Sequence, residues 1–363
     1  MLLPEYLGSL AFAPSELALI YVAELTNGIK KNHDPYQKYR YNPSFGEGLT
    51  GARDPALFYL SWSPSTPPTI LKLKPVGFEK VRFGQPIFDP QSSCVLYVTG
   101  YELTVDGKLL GIKGCFNRPS GIWRLQIPDP AFFTQREDEK DMSKLAELDT
   151  EAIQKLTPPH LSCRSPRALV FDGRSVLLWL ACASGGAHVS TSTLHTLDIS
   201  SLAELDDQAL IASDRPLVNL IKEPLKDLSS FPGLFPSYNL PLSPFVFTGD
   251  NQPGILLHSQ WGSRTTVLRI SLKGGVVHDL TPDAGGKLYS WVVLATDGNK
   301  RFICSRSAPN LPYEVLLGRF EENGDANWLL LDKPILRKEG ILFNISAFLI
   351  RSFGLYFFSP RSS

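Results

Sequence analysis

The chain has 363 residues, of which 43% are hydrophobic and 20% charged, and its 36 basic side chains balance 36 acidic ones. This composition excludes disorder over most of the chain, and the lack of a basic excess argues against a nucleic-acid partner. The 28 glycines and 29 prolines favour many short strands joined by tight turns, so the chain predicts an all-β fold.

The five cysteines are widely spaced and include no CxxC pair, which predicts reduced thiols and a cytoplasmic protein. No metal or cofactor is expected. The first residues lack a basic segment ahead of an apolar one, so no secretory signal is expected. An apolar stretch spans residues 341–359, but Asn344, Arg351 and Gly354 interrupt it and argue against a transmembrane helix.

A polar turn followed by a dense apolar run recurs five times, which predicts five hairpins that each lead into a buried strand. The runs are Leu19–Ala23, Val95–Val98, Val176–Leu180, Ile255–Leu257 and Phe302–Cys304. Alternating strands follow three of them, at Gly121–Ile127, Ser192–Ile199 and Thr266–Leu272. A Gly274-Gly275 turn predicts one more hairpin. This succession of strands is typical of the blades of a β-propeller.

Two segments interrupt the β pattern and predict short helical insertions. Leucine, isoleucine and alanine side chains recur at helical spacing in Arg136–Leu156, among many charged residues. A second, shorter helix is expected at Ser201–Ala212.

No reaction centre is visible in the sequence. The nucleophile elbow G-x-S-x-G is absent, and no histidine pair has metal-ligand spacing. The segment Gly46–Gly51 has the spacing of a dinucleotide fingerprint, but it has neither the strand before it nor the helix after it that such a site needs. No catalytic or metal-binding residue is therefore predicted.

One loop residue is a candidate binding residue. Arg118 lies at a predicted hairpin tip beside Phe116 and Trp123, where its charge could face a ligand or a partner domain. The alternative is an ordinary solvent-exposed arginine in a turn.

Several segments in the same order resemble the N-terminal propeller of acylaminoacyl peptidase, also called acylamino-acid-releasing enzyme, in the prolyl oligopeptidase family. They are Ala13–Glu24, Gly114–Ser120, Ser259–Ile270, Leu280–Trp291 and Ser305–Leu316. The resemblance implies an incomplete propeller with about five recognisable blades of an expected seven. It predicts a partial propeller over residues 1–342 and a non-homologous apolar tail over residues 343–363.

In that family, a propeller caps a serine hydrolase domain that releases N-acylated amino acids from peptides. The resemblance therefore implies a cap that filters N-acylated peptide substrates. The hydrolase domain with its catalytic triad is expected but absent from this sequence, so whether the chain is an enzyme stays open, and it is expected to be inactive alone.

The alternative is a stand-alone propeller that works as a protein-interaction module. A downstream reading frame with G-x-S-x-G would favour the cap, and a natural stop codon with a stable fragment would favour the module. A partial ring exposes apolar flanks, so poor solubility or a homo-oligomer is also expected.

Overall fold

Five mainly antiparallel sheets follow one another along the described part of the chain in this computed structural model. The structure describes residues 6–25, 36, 39, 44–49, 51–52, 54–64, 66–128, 143–188, 190–200, 202, 215–223, 227, 230–248, 251–281, 289–309 and 311–334.

The described strands, in chain order, are β1 (Leu10–Phe12), β2 (Ala18–Glu24), β3 (Pro55–Ser63), β4 (Thr66–Pro75), β5 (Val81–Asp89), β6 (Ser92–Glu102), β7 (Ser120–Gln126), β8 (Ser143–Leu148), β9 (Ile153–Lys155), β10 (Leu161–Phe171), β11 (Arg174–Ala183), β12 (Thr193–Asp198), β13 (Arg215–Val218), β14 (Phe245–Phe247), β15 (Pro253–Trp261), β16 (Arg264–Ser271), β17 (Val277–Asp279), β18 (Ser290–Thr296), β19 (Arg301–Ala308), β20 (Leu311–Phe320) and β21 (Ala326–Asp332). Two short 3-10 turns are described, Glu47–Leu49 and Thr150–Ala152.

These strands form five sheets. The first has the order β1-β2-β3-β4-β8, and the others have the orders β5-β6-β7-β9, β10-β11-β12-β13, β14-β15-β16-β17 and β18-β19-β20-β21. Four-stranded antiparallel meanders in series are the building units of a β-propeller, so the predicted all-β, propeller-type fold class is confirmed.

Each predicted apolar run forms the second strand of its sheet, namely β2, β6, β11, β15 or β19. The turn before β11 shows why the chain reverses there. Asp172 and Gly173 have φ values of 51° and 75°, the left-handed pair that a two-residue hairpin needs, and Phe171 pairs with Arg174 across it. The three predicted alternating strands are β7, β12 and β16, and the Gly274-Gly275 turn leads into β17.

The predicted helix at Arg136–Leu156 is wrong over its described part. Residues 143–148 form β8, which runs parallel to β4 at the outer edge of the first sheet, with Ile70 paired to Ser143 and Pro75 to Leu148. The burial alternates, with Ala146 and Leu148 buried, as in a strand covered on one face. Residues 136–142 of that prediction, and Ser201–Ala212 except Leu202, lie outside the described residues.

Apolar side chains from neighbouring sheets form the core. In one cluster, Tyr97 and Ile122 of the second sheet pack with Leu177 and Trp179 of the third. Another cluster joins the fourth and fifth sheets, where Val267 packs with aromatic side chains that include Phe302. The second strands β6, β11 and β15 contain runs of consecutive buried residues, which is typical of strands covered on both faces, whereas β2 and β19 alternate between more and less buried residues.

The chain divides into two compact units, Met1–Pro216 and Leu217–Ser363, with the boundary inside β13. The prediction of a propeller over residues 1–342 with an apolar tail stays a prediction, and residues 343–363 lie outside the described residues. No helix among the described residues is long and apolar enough to cross a bilayer.

Candidate functional site

The Arg118 side chain is half-buried against its own loop. Its Nε donates a hydrogen bond to the carbonyl oxygen of Gly111 at 3.1 Å, and its Nη2 lies 3.8 Å from the Sγ of Cys115. These contacts give the guanidinium a local bracing role just before β7. A ligand contact for Arg118 stays a prediction.

The loop that holds Arg118 is fastened to the third sheet. The carbonyl oxygen of Phe116 accepts hydrogen bonds from the Oγ of Ser162 at 2.7 Å and the Sγ of Cys182 at 3.1 Å. The Arg164 guanidinium lies over the Phe116 ring, 4.5 Å from its centroid. Strands β10 and β11 therefore fix the position of this loop.

The first strands of the second and third sheets carry the same irregularity. In β5 the register shifts between Gly84 and Ile87, and in β10 it shifts between Arg164 and Arg167. In each bulge, the residue before the proline has a left-handed backbone, with φ of 52° at Gln85 and 59° at Ser165. Such conformations cost free energy in non-glycine residues and are concentrated at functional sites.

A buried side chain joins the two bulges. The Oε1 of Gln85 accepts hydrogen bonds from the Oγ1 of Thr99 at 2.7 Å and from the backbone N–H of Ser165 at 2.9 Å. All three residues are buried, so these bonds replace water contacts that the groups have lost. Gln85 thereby links β5 to β10.

Two arginines flank the bulge of β10. Arg164 is 1% exposed, and its Nη2 donates to the Oγ of Ser192 at 3.1 Å. Burial lowers the pKa of Arg167 to about 10, and its Nη1 donates to the carbonyl oxygen of Pro166 at 2.7 Å. Guanidinium groups bind carbonyl or carboxylate oxygens well. The cluster can therefore position a polar group but supplies no nucleophile with a base.

Among the described residues of the second unit, one serine and histidine pair lies within hydrogen-bond distance. The Oγ of Ser237 is 2.8 Å from the Nε2 of His258, and the Nδ1 of His258 accepts from the backbone N–H of Val293 at 3.4 Å. An Nδ1 that accepts leaves the proton on Nε2, so the ring donates to the serine. A catalytic histidine needs the opposite tautomer, with Nδ1–H held by a carboxylate, so this pair is structural.

Thr193 and His195 form a second hydroxyl and imidazole pair, with 2.8 Å between Oγ1 and Nε2. The threonine hydroxyl donates to the carbonyl oxygen of Ala181 at 3.1 Å, so it accepts from the ring. His195 also stacks on Trp179 at a centroid distance of 5.6 Å. This pair likewise does not activate a nucleophile.

The described part of the chain shows neither a metal site nor a dinucleotide site. No group of three His, Cys, Asp or Glu side chains there is placed to bind a metal ion. The dinucleotide-like segment contains a 3-10 turn at Glu47–Leu49, without the helix that a pyrophosphate site needs.

Comparison with protein families assigns this chain to a family. The model of a family described as "Acylamino-acid-releasing enzyme, N-terminal domain" matches residues 27–341. The chain belongs to this family. The match covers all five sheets except β1 and β2, and it confirms the resemblance seen in the sequence.

Two plant proteins of this family are similar along most of the chain. The acylamino-acid-releasing enzyme of Arabidopsis thaliana is 27% identical over 85% of this chain and 37% of its own length. Acylamino-acid-releasing enzyme 1 of Oryza sativa subsp. japonica is 28% identical over 75% of this chain and 33% of its own length. The chain therefore spans about a third of the length of the curated relatives that it matches.

Solved structures give weaker similarities. Prolyl oligopeptidase B from Galerina marginata aligns with 93% of this chain and 35% of its own, at 10% identity and a TM-score of 0.49. The periplasmic gluconolactonase of Pseudomonas aeruginosa aligns with 88% of this chain and 70% of its own, at 11% identity and a TM-score of 0.43. The family assignment and the propeller-type fold rest on the family match and on the five sheets.

In this family member, sequence analysis missed the linked bulges of β5 and β10. Gln85-Pro86 and Ser165-Pro166 were the available signal, since a proline inside a strand marks an edge strand or a bulge. The burial of Arg164 and Arg167 gave no local signal, because it depends on the neighbouring sheet and on the Phe116 loop.

Proposed function

We propose that this chain is the propeller cap and substrate filter of a serine hydrolase of the acylaminoacyl-peptidase type. The observation that carries the proposal is the family match over residues 27–341, which falls on a series of sheets of four or five strands. A cap acts by excluding large substrates and by shielding the reaction from bulk water. Catalysis then belongs to a hydrolase domain, and the substrates are short N-acylated peptides.

Within this proposal, the loop of Arg118 is the candidate contact for substrate. The Arg118 side chain is only half-buried, and a guanidinium group suits the carbonyl oxygens of an acylated peptide. A cytoplasmic location is part of the proposal and is supported by five cysteines that form no disulfide.

The test is a chimera in which this chain replaces the matched N-terminal region of the Arabidopsis relative. Its activity is measured on acetyl-alanine p-nitroanilide, on an N-acetylated tripeptide and on an N-acetylated peptide of about thirty residues. We expect turnover of the first two and rejection of the long peptide by about tenfold or more, because the cap limits entry.

The controls are the intact Arabidopsis enzyme, its hydrolase region alone and the present chain alone. The present chain alone should give no turnover above background. A chimera that cleaves short and long peptides in the same ratio as the uncapped hydrolase region would refute the filter. In that case, the stand-alone interaction module becomes the better explanation.

A further inference from the structure

The outer strand of the fifth sheet exposes three consecutive leucines. Leu329, Leu330 and Leu331 of β21 are 60%, 41% and 51% exposed. Among the described strands only β20 pairs with β21, so the other edge of β21 presents backbone N–H and C=O groups beside these side chains. An apolar strand edge of this kind is a template for pairing with another strand.

The outer strands of the other sheets are protected by charge or proline. The residues concerned are Glu147 of β8, Lys155 of β9, Arg215 and Pro216 of β13, and Asp279 of β17. In β21, by contrast, only Asp332 at the very end carries a charge. Proteins commonly place charges or prolines on edges to prevent association, so their scarcity in β21 points to an edge that is covered.

Strand β21 is held firmly on its inner face. The Trp328 ring lies 4.8 Å from the Trp291 ring and 5.2 Å from the Phe302 ring, measured between centroids. Its pairing with β20 is regular from Ala326 to Leu330, and the register shifts only before Asp332. The edge is therefore a fixed surface that can bind a partner without first becoming ordered.

We propose that β21 pairs with β21 of a second copy of this chain, antiparallel and across a two-fold axis near Leu329. Asp325 precedes the strand and Lys333 follows it, and each lies four residues from Leu329. Antiparallel pairing centred there places each Asp325 beside Lys333 of the second copy, because the two strands run in opposite directions. The surface is thus complementary to itself in both apolar character and charge, as a two-fold interface requires. This inference is independent of whether the chain caps a hydrolase.

The first experiment measures the mass of the 363-residue chain against concentration by analytical ultracentrifugation. We expect a dimer for the unmodified chain and an increase of about tenfold or more in its dissociation constant for the double variant Leu329→Lys/Leu331→Lys. Leu242→Lys, at a loop residue that is 77% exposed, is the matched control and should leave the dimer intact. An unmodified chain that stays monomeric, or a double variant that still dimerises like the control, would overturn the proposal.

A charge exchange tests the pairing without altering the leucines. Lys333→Asp places two acidic groups together at each end of the interface and should weaken the dimer. The double variant Lys333→Asp/Asp325→Lys restores opposite charges and should recover it. If the single and double variants associate equally well, the antiparallel pairing of β21 is wrong.

Discussion

At the scale of single residues, hydrogen-bond direction decides what the histidines of this chain can do. Ser237 and His258 have the distance of a catalytic pair, yet the Nδ1 of His258 accepts a hydrogen bond from the N–H of Val293. In a catalytic histidine, Nδ1 carries a proton and donates it in a hydrogen bond to an aspartate. His258 instead joins strand β15 to β18 and to the connection before β14. Its role is structural, because the partly buried ring forms hydrogen bonds with the Ser237 hydroxyl and the Val293 N–H.

We expect His258 to make the stability of the protein depend on pH. Burial lowers the pKa of His258, so the folded chain resists a proton that the unfolded chain accepts below about pH 6.5. Its neutral form therefore favours folding above about pH 6.5, and stability falls as the pH decreases through that value. In His258→Gln, the melting temperature should change less between about pH 7.5 and 5.5 than in the unmodified chain.

His278, which is exposed on β17, provides the control for this measurement. His278→Gln should keep the pH dependence of the unmodified chain. If His258→Gln and His278→Gln have the same pH dependence, the buried imidazole is not its source.

At the scale of elements, polar contacts between first strands fix how the second and third sheets meet. The bulges of β5 and β10 interrupt the backbone hydrogen bonds between paired strands. The backbone N–H of Ser165, in the bulge of β10, donates instead to the side chain of Gln85. Apolar side chains also pack between these sheets, but the hydrophobic effect is not directional. The hydrogen bonds of Gln85 fix the relative position of the two sheets, because its side-chain oxygen must face the donors of Thr99 and Ser165.

Replacing Gln85 by leucine should destabilise the protein. The Ser165 N–H and the Thr99 hydroxyl would lose a buried acceptor, at a cost of about 1–3 kcal/mol in the free energy of unfolding. Denaturant titration followed by tryptophan fluorescence measures the change. Gln91→Leu, in the exposed turn before β6, should change stability by less than about 0.5 kcal/mol. Equal effects of the two substitutions would contradict the role given to Gln85.

At the scale of the whole molecule, the burial of each cysteine decides its reactivity. Cys163, Cys182 and Cys304 are buried, whereas Cys94 and Cys115 are partly exposed. Burial raises the pKa of Cys304 to about 12 and also raises the pKa of Cys182. The thiolate is the reactive form, so these thiols should be inert in the folded protein.

Thiol titration with dithionitrobenzoate should therefore count two rapidly reacting groups in the folded chain and five after denaturation in guanidinium chloride. Cys94→Ser and Cys115→Ser should each remove one of the rapid groups, while Cys304→Ser should remove none. A third thiol that reacts as fast as these two would show that the core opens more readily than the structure implies.

The sequence by itself determined the five second strands, the turns before them and the family, because apolar runs and polar turns are local features. It misassigned residues 143–148, where leucines at helical spacing lie in β8. That strand exists because it pairs with β4, about seventy residues earlier in the chain, and a local pattern does not contain such a partner. Only the tertiary structure decided which polar groups are buried together, as at Gln85 and Arg164. Burial and hydrogen-bond direction depend on neighbouring sheets, so they cannot be predicted from the spacing of residues along the chain.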